Sequence, residues 1–218
     1  ENSVIVVRSK YKEAVVALEQ AGGLILDEIE TQRVVNLHWQ NGRINTALLA
    51  KDINVIIDKT KLADRSDKNT RFLILPTQEA GPDAIVSGEK MSQFLTLYLA
   101  EDFDHALKLA IKIQNYQGAG HSLGLHSKND KRAHQMAMSA KTCRVIVNQA
   151  HCFATGGFFN NGLPFSLSMG CGSWGGNSID ENLNWEHFIN KVKIVRVIEE
   201  DKPNLEDLFG DYWSKVFP

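Results

Sequence analysis

Ser168-Met169-Gly170-Cys171-Gly172-Ser173-Trp174-Gly175-Gly176-Asn177-Ser178 is the stretch on which the reading of this chain turns. It holds four glycines, a thiol, an indole and several short hydroxyl or amide side chains, with no charge among them. Such a run makes a poor helix and a poor strand. Glycine loses the most chain entropy on ordering, so it belongs where φ is positive or where another group comes close to the backbone. A thiol and an indole in that setting suggest a wall around a small-molecule site. A glycine-rich turn closed by a buried tryptophan explains the same residues, and the local sequence leaves both readings open.

Outward from this run, Gln149 to Ser178 is rich in glycine, phenylalanine and asparagine and has no sustained period. An irregular segment of that length inside a compact domain is usually functional. The flanks are regular. Apolar or alternating runs predict strands at Ser3–Val7, Phe72–Leu75, Phe94–Leu99, Ser122–His126, Arg144–Asn148 and Val192–Ile198, and Leu24–Leu26 is a further apolar piece. Helical spacing predicts helices over Tyr11–Ala21, Ile29–Gln40, Phe103–Tyr116, Asp130–Ala140, Trp185–Asn190 and Leu205–Trp213, with two shorter helical pieces between Ile44 and Leu62. Gly22-Gly23 closes the first helix, Asp102 or Asp104 opens the third, and Asn129 caps the fourth. Strands alternating with helices indicate an α/β fold, with ligands expected beyond the strand ends.

Composition narrows the function. A net charge of -2 over 218 residues, with no dense basic run, argues against a nucleic-acid partner. No apolar run reaches membrane-spanning length and no signal peptide is visible, so the expected location is the cytoplasm, with no membrane partner. Three scattered cysteines are no disulfide framework, and the seven histidines contain no metal-binding spacing, so no metal is expected. The chain opens at Glu1 without methionine, as a processed or truncated product would.

Four places carry chemistry. Cys171 is the thiol most open to reagents, but no adjacent cation or helix start lowers its pKa, so packing is the plainer role. Cys152 and His151 open the irregular segment and can face a ligand. His121, in Gly118-Ala119-Gly120-His121-Ser122, sits at a helix-to-strand junction, where an imidazole orients a substrate, moves a proton, or simply packs. Glu89, in Gly88-Glu89-Lys90-Met91-Ser92, is a loop carboxylate able to bond a ribose diol, or a solvated charge.

Gly88 to Ser92, Gly120 to Ser122, Lys141 to Asn148 and Gly170 to Ser178 stand in an order and spacing that resembles the catalytic domain of coenzyme A-acylating aldehyde dehydrogenases, including the aldehyde half of bifunctional aldehyde/alcohol dehydrogenases. The resemblance covers nearly the whole chain; one departure is Gln93, where relatives tend to have proline. It implies an aldehyde dehydrogenase catalytic-domain-like open sheet with flanking helices and a C-terminal oligomerisation strand. Residues 1–177 would be the catalytic domain. Residues 178–218 would pack toward a coenzyme domain, with an interface strand at 192–198 and a terminal helix. In the family the nucleophilic cysteine precedes the segment matching Glu1–Val7, so this chain is expected to be a fragment cut just after its nucleophile, inactive alone.

The chemistry implied is conversion of an aldehyde and coenzyme A to acyl-CoA. A cysteine thiolate forms a thiohemiacetal, hydride passes to NAD or NADP, and the thioester goes to the coenzyme A thiol. By family position Glu89 lies near the nicotinamide ribose and His121 beside the reacting centre. His151, Cys152, Phe165 and Cys171 would line the substrate side. The implied assembly is a homo-oligomer, dimer or tetramer. A non-catalytic oligomerisation or ligand-binding module is the competing reading, and a thiol enzyme using Cys171 or Cys152 is a third.

Overall fold

A computed structural model describes residues 2–216 of the chain, which divides into two compact units, Glu1–Asn184 and Trp185–Pro218. In the first, the elements in order are β1 (Ser3–Val7), α1 (Tyr11–Gln20), β2 (Gly23–Ile25), α2 (Glu28–His38), β3 (Trp39–Gln40), β4 (Arg43–Ile44), α3 (Ile53–Thr60), β5 (Phe72–Thr77), β6 (Phe94–Ala100), α4 (Phe103–Tyr116), β7 (Leu123–Leu125), α5 (Asp130–Ser139), β8 (Val145–Val147) and α6 (His151–Ala154). The β-branched and apolar runs pair in parallel in the order β1-β6-β5-β2, with Ser3 opposite Thr96 and Leu75 opposite Thr96 on the other side.

Side chains alternate across a strand, and β5 shows the consequence. Leu73 and Leu75 point into a core with Val34, Leu48, Ile56 and Phe94, under α2 and α3. Ile74 points to the opposite face, with Val6 and Leu97 under Tyr11, Ala14 and Leu18 of α1. A sheet covered on both faces accounts for strands that read as nearly continuous apolar runs. Helix α4 packs against β1 and β6 and also lends Leu107 and Ile111 to a third cluster, with Leu125, Met136 and Val145. It thereby joins the main sheet to the separate parallel pair β7–β8.

Several boundaries differ from the sequence expectations. Helix α2 stops at His38, and Trp39-Gln40 pairs back on Arg43-Ile44. Asn41 and Gly42 both take positive φ, 53° and 73°, the backbone of a two-residue hairpin turn, which here outcompetes two more helical residues. Strand β5 runs on through Pro76. The Ile74 carbonyl accepts from Leu26 on the β2 side while the Leu73 N–H donates to Gln93 on the β6 side. By that alternation Pro76 faces the β2 side, beyond the last β2 residue, where no ladder N–H is needed.

The division between the two compact units falls after Asn184. The Gly170 N–H donates to Glu181, Gly172 to Ile179 and Leu183 to Ser168, so 178–184 is stitched to the glycine-rich run.

In the second unit Trp185–Phe188 is a short 3-10 turn rather than a helix to Asn190, and α7 runs Leu205–Val216, with Phe209 and Trp213 ring centroids 5.8 Å apart. Val192–Ile198, expected as a strand, forms none. A strand must hand its backbone N–H and C=O groups to a neighbour, and none of the described strands takes this segment. Among the described residues no helix is long and apolar enough to cross a membrane, and no group of three or more His, Cys, Asp or Glu could hold a metal.

A buried histidine gives this fold a pH dependence. His38 is fully buried, edge-on to Trp39 and Phe94, and its Nε2 lies 2.9 Å from the Lys90 carbonyl. Burial lowers its pKa, with the nearby Lys90 charge acting the same way and the carbonyl hydrogen bond opposing. The unfolded chain therefore binds a proton that the folded chain resists. Stability is full above the unfolded value of about 6.5 and falls as the pH drops through it, levelling off below the folded pKa. Urea midpoints across this range should slope upward with pH in the wild type. The slope should flatten in His38→Phe.

Candidate functional site

The loop carrying Glu89 is held by its neighbour. Lys90 is 1% exposed, and its Nζ donates to Asn2 O, Asn2 Oδ1 and Gly88 O at 3.0, 2.9 and 3.1 Å. Burial lowers the Lys90 pKa to about 7, with Glu89 opposing. Three acceptors around one nitrogen match the three N–H groups of the ammonium form, so the geometry favours the charged state. The same contacts tie this loop to the residue just before β1. Glu89 itself folds back, its Oε1 accepting from the N–H of Lys90 and Met91 at 2.8 and 2.9 Å. Its backbone N–H donates to Gln117 Oε1 at 2.8 Å, which links the loop to the end of α4.

That end of α4 leads directly to His121. Gly120 holds φ +85°, and a Cβ placed there would lie 2.0 Å from the Cys171 carbonyl oxygen. The His121 segment and the glycine-rich run are thus in backbone contact, close enough to require glycine. The run is tied to itself as well: the Cys171 N–H donates to Asn177 Oδ1 at 2.8 Å, and the N–H of Asn177 and Gly175 return to Gly172.

A buried guanidinium locks the two segments together. Arg144, 7% exposed, donates from Nε to Asn182 Oδ1 at 3.1 Å and from one terminal nitrogen to Gly170 O at 2.9 Å and His121 O at 3.4 Å. Asn182, fully buried, donates in turn to the carbonyls of Thr155 and Pro164 at 2.9 and 2.8 Å, so the irregular segment closes around this pair. The His121 imidazole is held below its ordinary pKa, first by burial and then by the Arg144 charge, while Glu89 pulls the other way. The residue itself is partly open to solvent, and the Arg144 and Glu89 charges act on its ring with opposite signs.

The remaining sequence candidates divide. His151 joins the centre: its Nε2 lies 2.6 Å from Ser122 Oγ, which lies 2.6 Å from His121 Nδ1. Cys171 is partly buried beneath the glycine run, its Cβ against Gly175. Cys152 is exposed on α6. Phe165 is 61% exposed and packs its ring 5.1 Å from Phe159, in a surface row that continues through Phe158 to Phe153. The Cys143 thiol is pushed up by burial, partly offset by Arg144.

Arg144, Asn182, Lys90, Gln117 and Ser122 were not singled out by residue type. One of them left a readable signal: an arginine opening the apolar strand Val145–Val147 is a charge with no solvated face, which calls for partners.

No protein-family model matches this chain. It is 42% identical over 216 residues to a sulfoacetaldehyde dehydrogenase (acylating) of Cupriavidus necator, covering 99% of this chain and 44% of that protein. It is 32% identical to a succinate-semialdehyde dehydrogenase (acetylating) of Clostridium kluyveri, covering 96% and 46%. An acetylating aldehyde dehydrogenase of Geobacillus thermoglucosidasius superposes with a TM-score of 0.82 at 27% identity, over 92% of this chain and 44% of that one. The chain thus spans under half the length of the relatives it matches.

Proposed function

We propose that this chain, homologous to acylating aldehyde dehydrogenases over nearly its whole length, provides the aldehyde-side part of such an enzyme's active centre. The observation that carries the reading is that Arg144 and the Gly120–Cys171 backbone contact clamp the His121 segment to the glycine-rich run. A nicotinamide bound there would supply the hydride acceptor for the aldehyde carbon, and coenzyme A would supply the thiol that takes the acyl group.

The residues here fit those groups. Glu89 Oε1 is occupied by its own loop while Oε2 is left for a ribose hydroxyl, and Glu89 lines a groove with Ala50, Asp52, Met91 and Ser92. Lys90 fixes that loop against Asn2, the residue just before the strand that follows the expected nucleophile position. His121, neutral near pH 7, takes the proton of an incoming thiol. Arg144 fixes the His121 and Gly170 carbonyls and so sets the distance between base and glycine wall. His151, Cys152, Phe165 and Cys171 remain the residues assigned to the acyl side. Residues 178–218 are assigned to contact with a coenzyme domain, and 192–198 to strand pairing with a second copy.

The test uses the longer protein that includes the residues before Glu1, assayed for reduction of NAD or NADP with coenzyme A and sulfoacetaldehyde or succinate semialdehyde. Reduction that requires coenzyme A is expected. His121→Asn should lower kcat about 100-fold or more. Glu89→Gln should raise KM for the nicotinamide cofactor with a smaller change in kcat. A protein that reduces no nicotinamide with either aldehyde, with or without coenzyme A, would overturn the reading.

A further inference from the structure

We propose that Ser122 and His151 extend His121 into a three-member proton relay, running His121 Nδ1 – Ser122 Oγ – His151 Nε2. Both links are 2.6 Å. A hydroxyl has one proton, so Ser122 donates to one imidazole and accepts from the other. The two rings therefore cannot choose tautomers independently. When His121 Nδ1–H donates, Ser122 donates onward to His151 Nε2, and His121 Nε2 carries a lone pair, as a base requires. When His151 Nε2–H donates, Ser122 donates to His121 Nδ1, and His121 Nε2 carries a proton, as an acid requires.

The fold places this chain deliberately. Ser122 lies just before β7 and His151 opens α6 just after β8, so the parallel β7–β8 pair brings the two beside each other. Gly124 of β7 makes the seat: a Cβ there would stand 3.0 Å from His151 Nδ1. The charged groups acting on His121 are Arg144 and Glu89, from the segments before β8 and before β6.

The inference rests on the reading of His121 as the base for an incoming thiol. As the sulfur of that thiol bonds the acyl carbon and the acyl–cysteine bond breaks, its S–H proton passes to His121 Nε2. The Nδ1 proton of His121 passes to Ser122 Oγ, and the Ser122 hydroxyl proton to His151 Nε2. His151 ends as the imidazolium, His121 ends neutral, and the cysteine leaves as a thiolate. No oxidant is consumed. The relay moves the positive charge away from Arg144, where it is disfavoured.

Histidine ring nitrogen NMR on chain 1–218, labelled at histidine and titrated with pH, tests the relay without any activity. Coupled titration of His121 and His151 is expected, uncoupled in Ser122→Ala and retained in Ser122→Thr. Gly124→Ala, which pushes the His151 ring by a few tenths of an ångström, should weaken the coupling without removing any polar group. A His121 titration and tautomer unchanged in both Ser122→Ala and His151→Phe would overturn the relay. In the longer enzyme, Ser122→Ala should lower kcat of acyl transfer to coenzyme A roughly 10- to 100-fold, short of the loss of the whole base. It should also shift the pH profile while KM for coenzyme A holds, and Ser122→Thr should restore both. An unchanged kcat and profile in Ser122→Ala would also overturn it. A wild type with coupled histidines and no acyl transfer refutes the functional reading instead, so the two failures are read separately.

Discussion

Gly120→Ala is expected to destabilise the first unit by about 2–5 kcal/mol, the sum of a positive-φ penalty of about 1–2 kcal/mol and overpacking of about 1–3 kcal/mol. Gly120 holds φ +85°, and its missing side chain leaves the space in which the Cys171 carbonyl sits, 2.0 Å from any added Cβ. The obstacle is backbone on both sides, so no rotamer change relieves it. For a chain of this size that loss lowers Tm by roughly 10 °C. Gly42→Ala is the control. Gly42 holds φ +73° in the β3–β4 turn with nothing within 4 Å of an added Cβ, so it should lose only the conformational part, about 1–2 kcal/mol. Equal losses in the two variants would show that the His121 segment and the glycine run are not in contact.

Arg144→Met should cost about 3 kcal/mol, measured by urea unfolding. It removes the donor to three acceptors, of which Gly170 O and Asn182 Oδ1 are the closest, at 2.9 and 3.1 Å. A buried acceptor left without a partner costs about 1–3 kcal/mol, and relief of the buried charge offsets part of the total. Arg144→Lys should recover little of it, because an ammonium cannot span the fork from Asn182 to Gly170. The second effect is electrostatic. Arg144 lowers the His121 pKa, so its removal raises that pKa toward the unperturbed value and protonates the ring at higher pH. In the longer protein, under the assay proposed above, the acidic limb of the rate profile should move to higher pH. A limb that stays in place would separate Arg144 from the chemistry and leave it a purely structural lock.

The regular elements were legible because their signals are local. Alternation, helical spacing and capping residues located β1, β6, α4 and α5 closely; Asp102 and Asn129 cap α4 and α5 by accepting from His105 and Lys131 N–H. The errors fell where a longer-range partner decides. Pro76 stays in a strand because β2 is short. Trp39-Gln40 leaves a helix because Asn41-Gly42 turns the chain back. Val192–Ile198 has the composition of a strand and no neighbour to pair with among the described strands.

The site divides in the same way. Residue type and motif order picked out Glu89, His121 and the run Gly170 to Ser178, because a loop carboxylate, a junction imidazole and clustered glycines are recognisable wherever they stand. The sequence by itself thus determined an α/β fold, the candidate groups, and the resemblance to acylating aldehyde dehydrogenases. The tertiary structure decided how they meet: that Gly120 touches Cys171, that Arg144 bridges His121 to Gly170, and that Ser122 joins His121 to His151. Those contacts join residues 23 to 51 positions apart or depend on β7 lying beside β8. No local periodicity encodes such a distance; only the packing of the whole unit fixes it. The opening run, two-sided as a sequence, leaves Trp174 half exposed rather than buried, and is held in place by the Gly120 backbone and the Arg144 guanidinium.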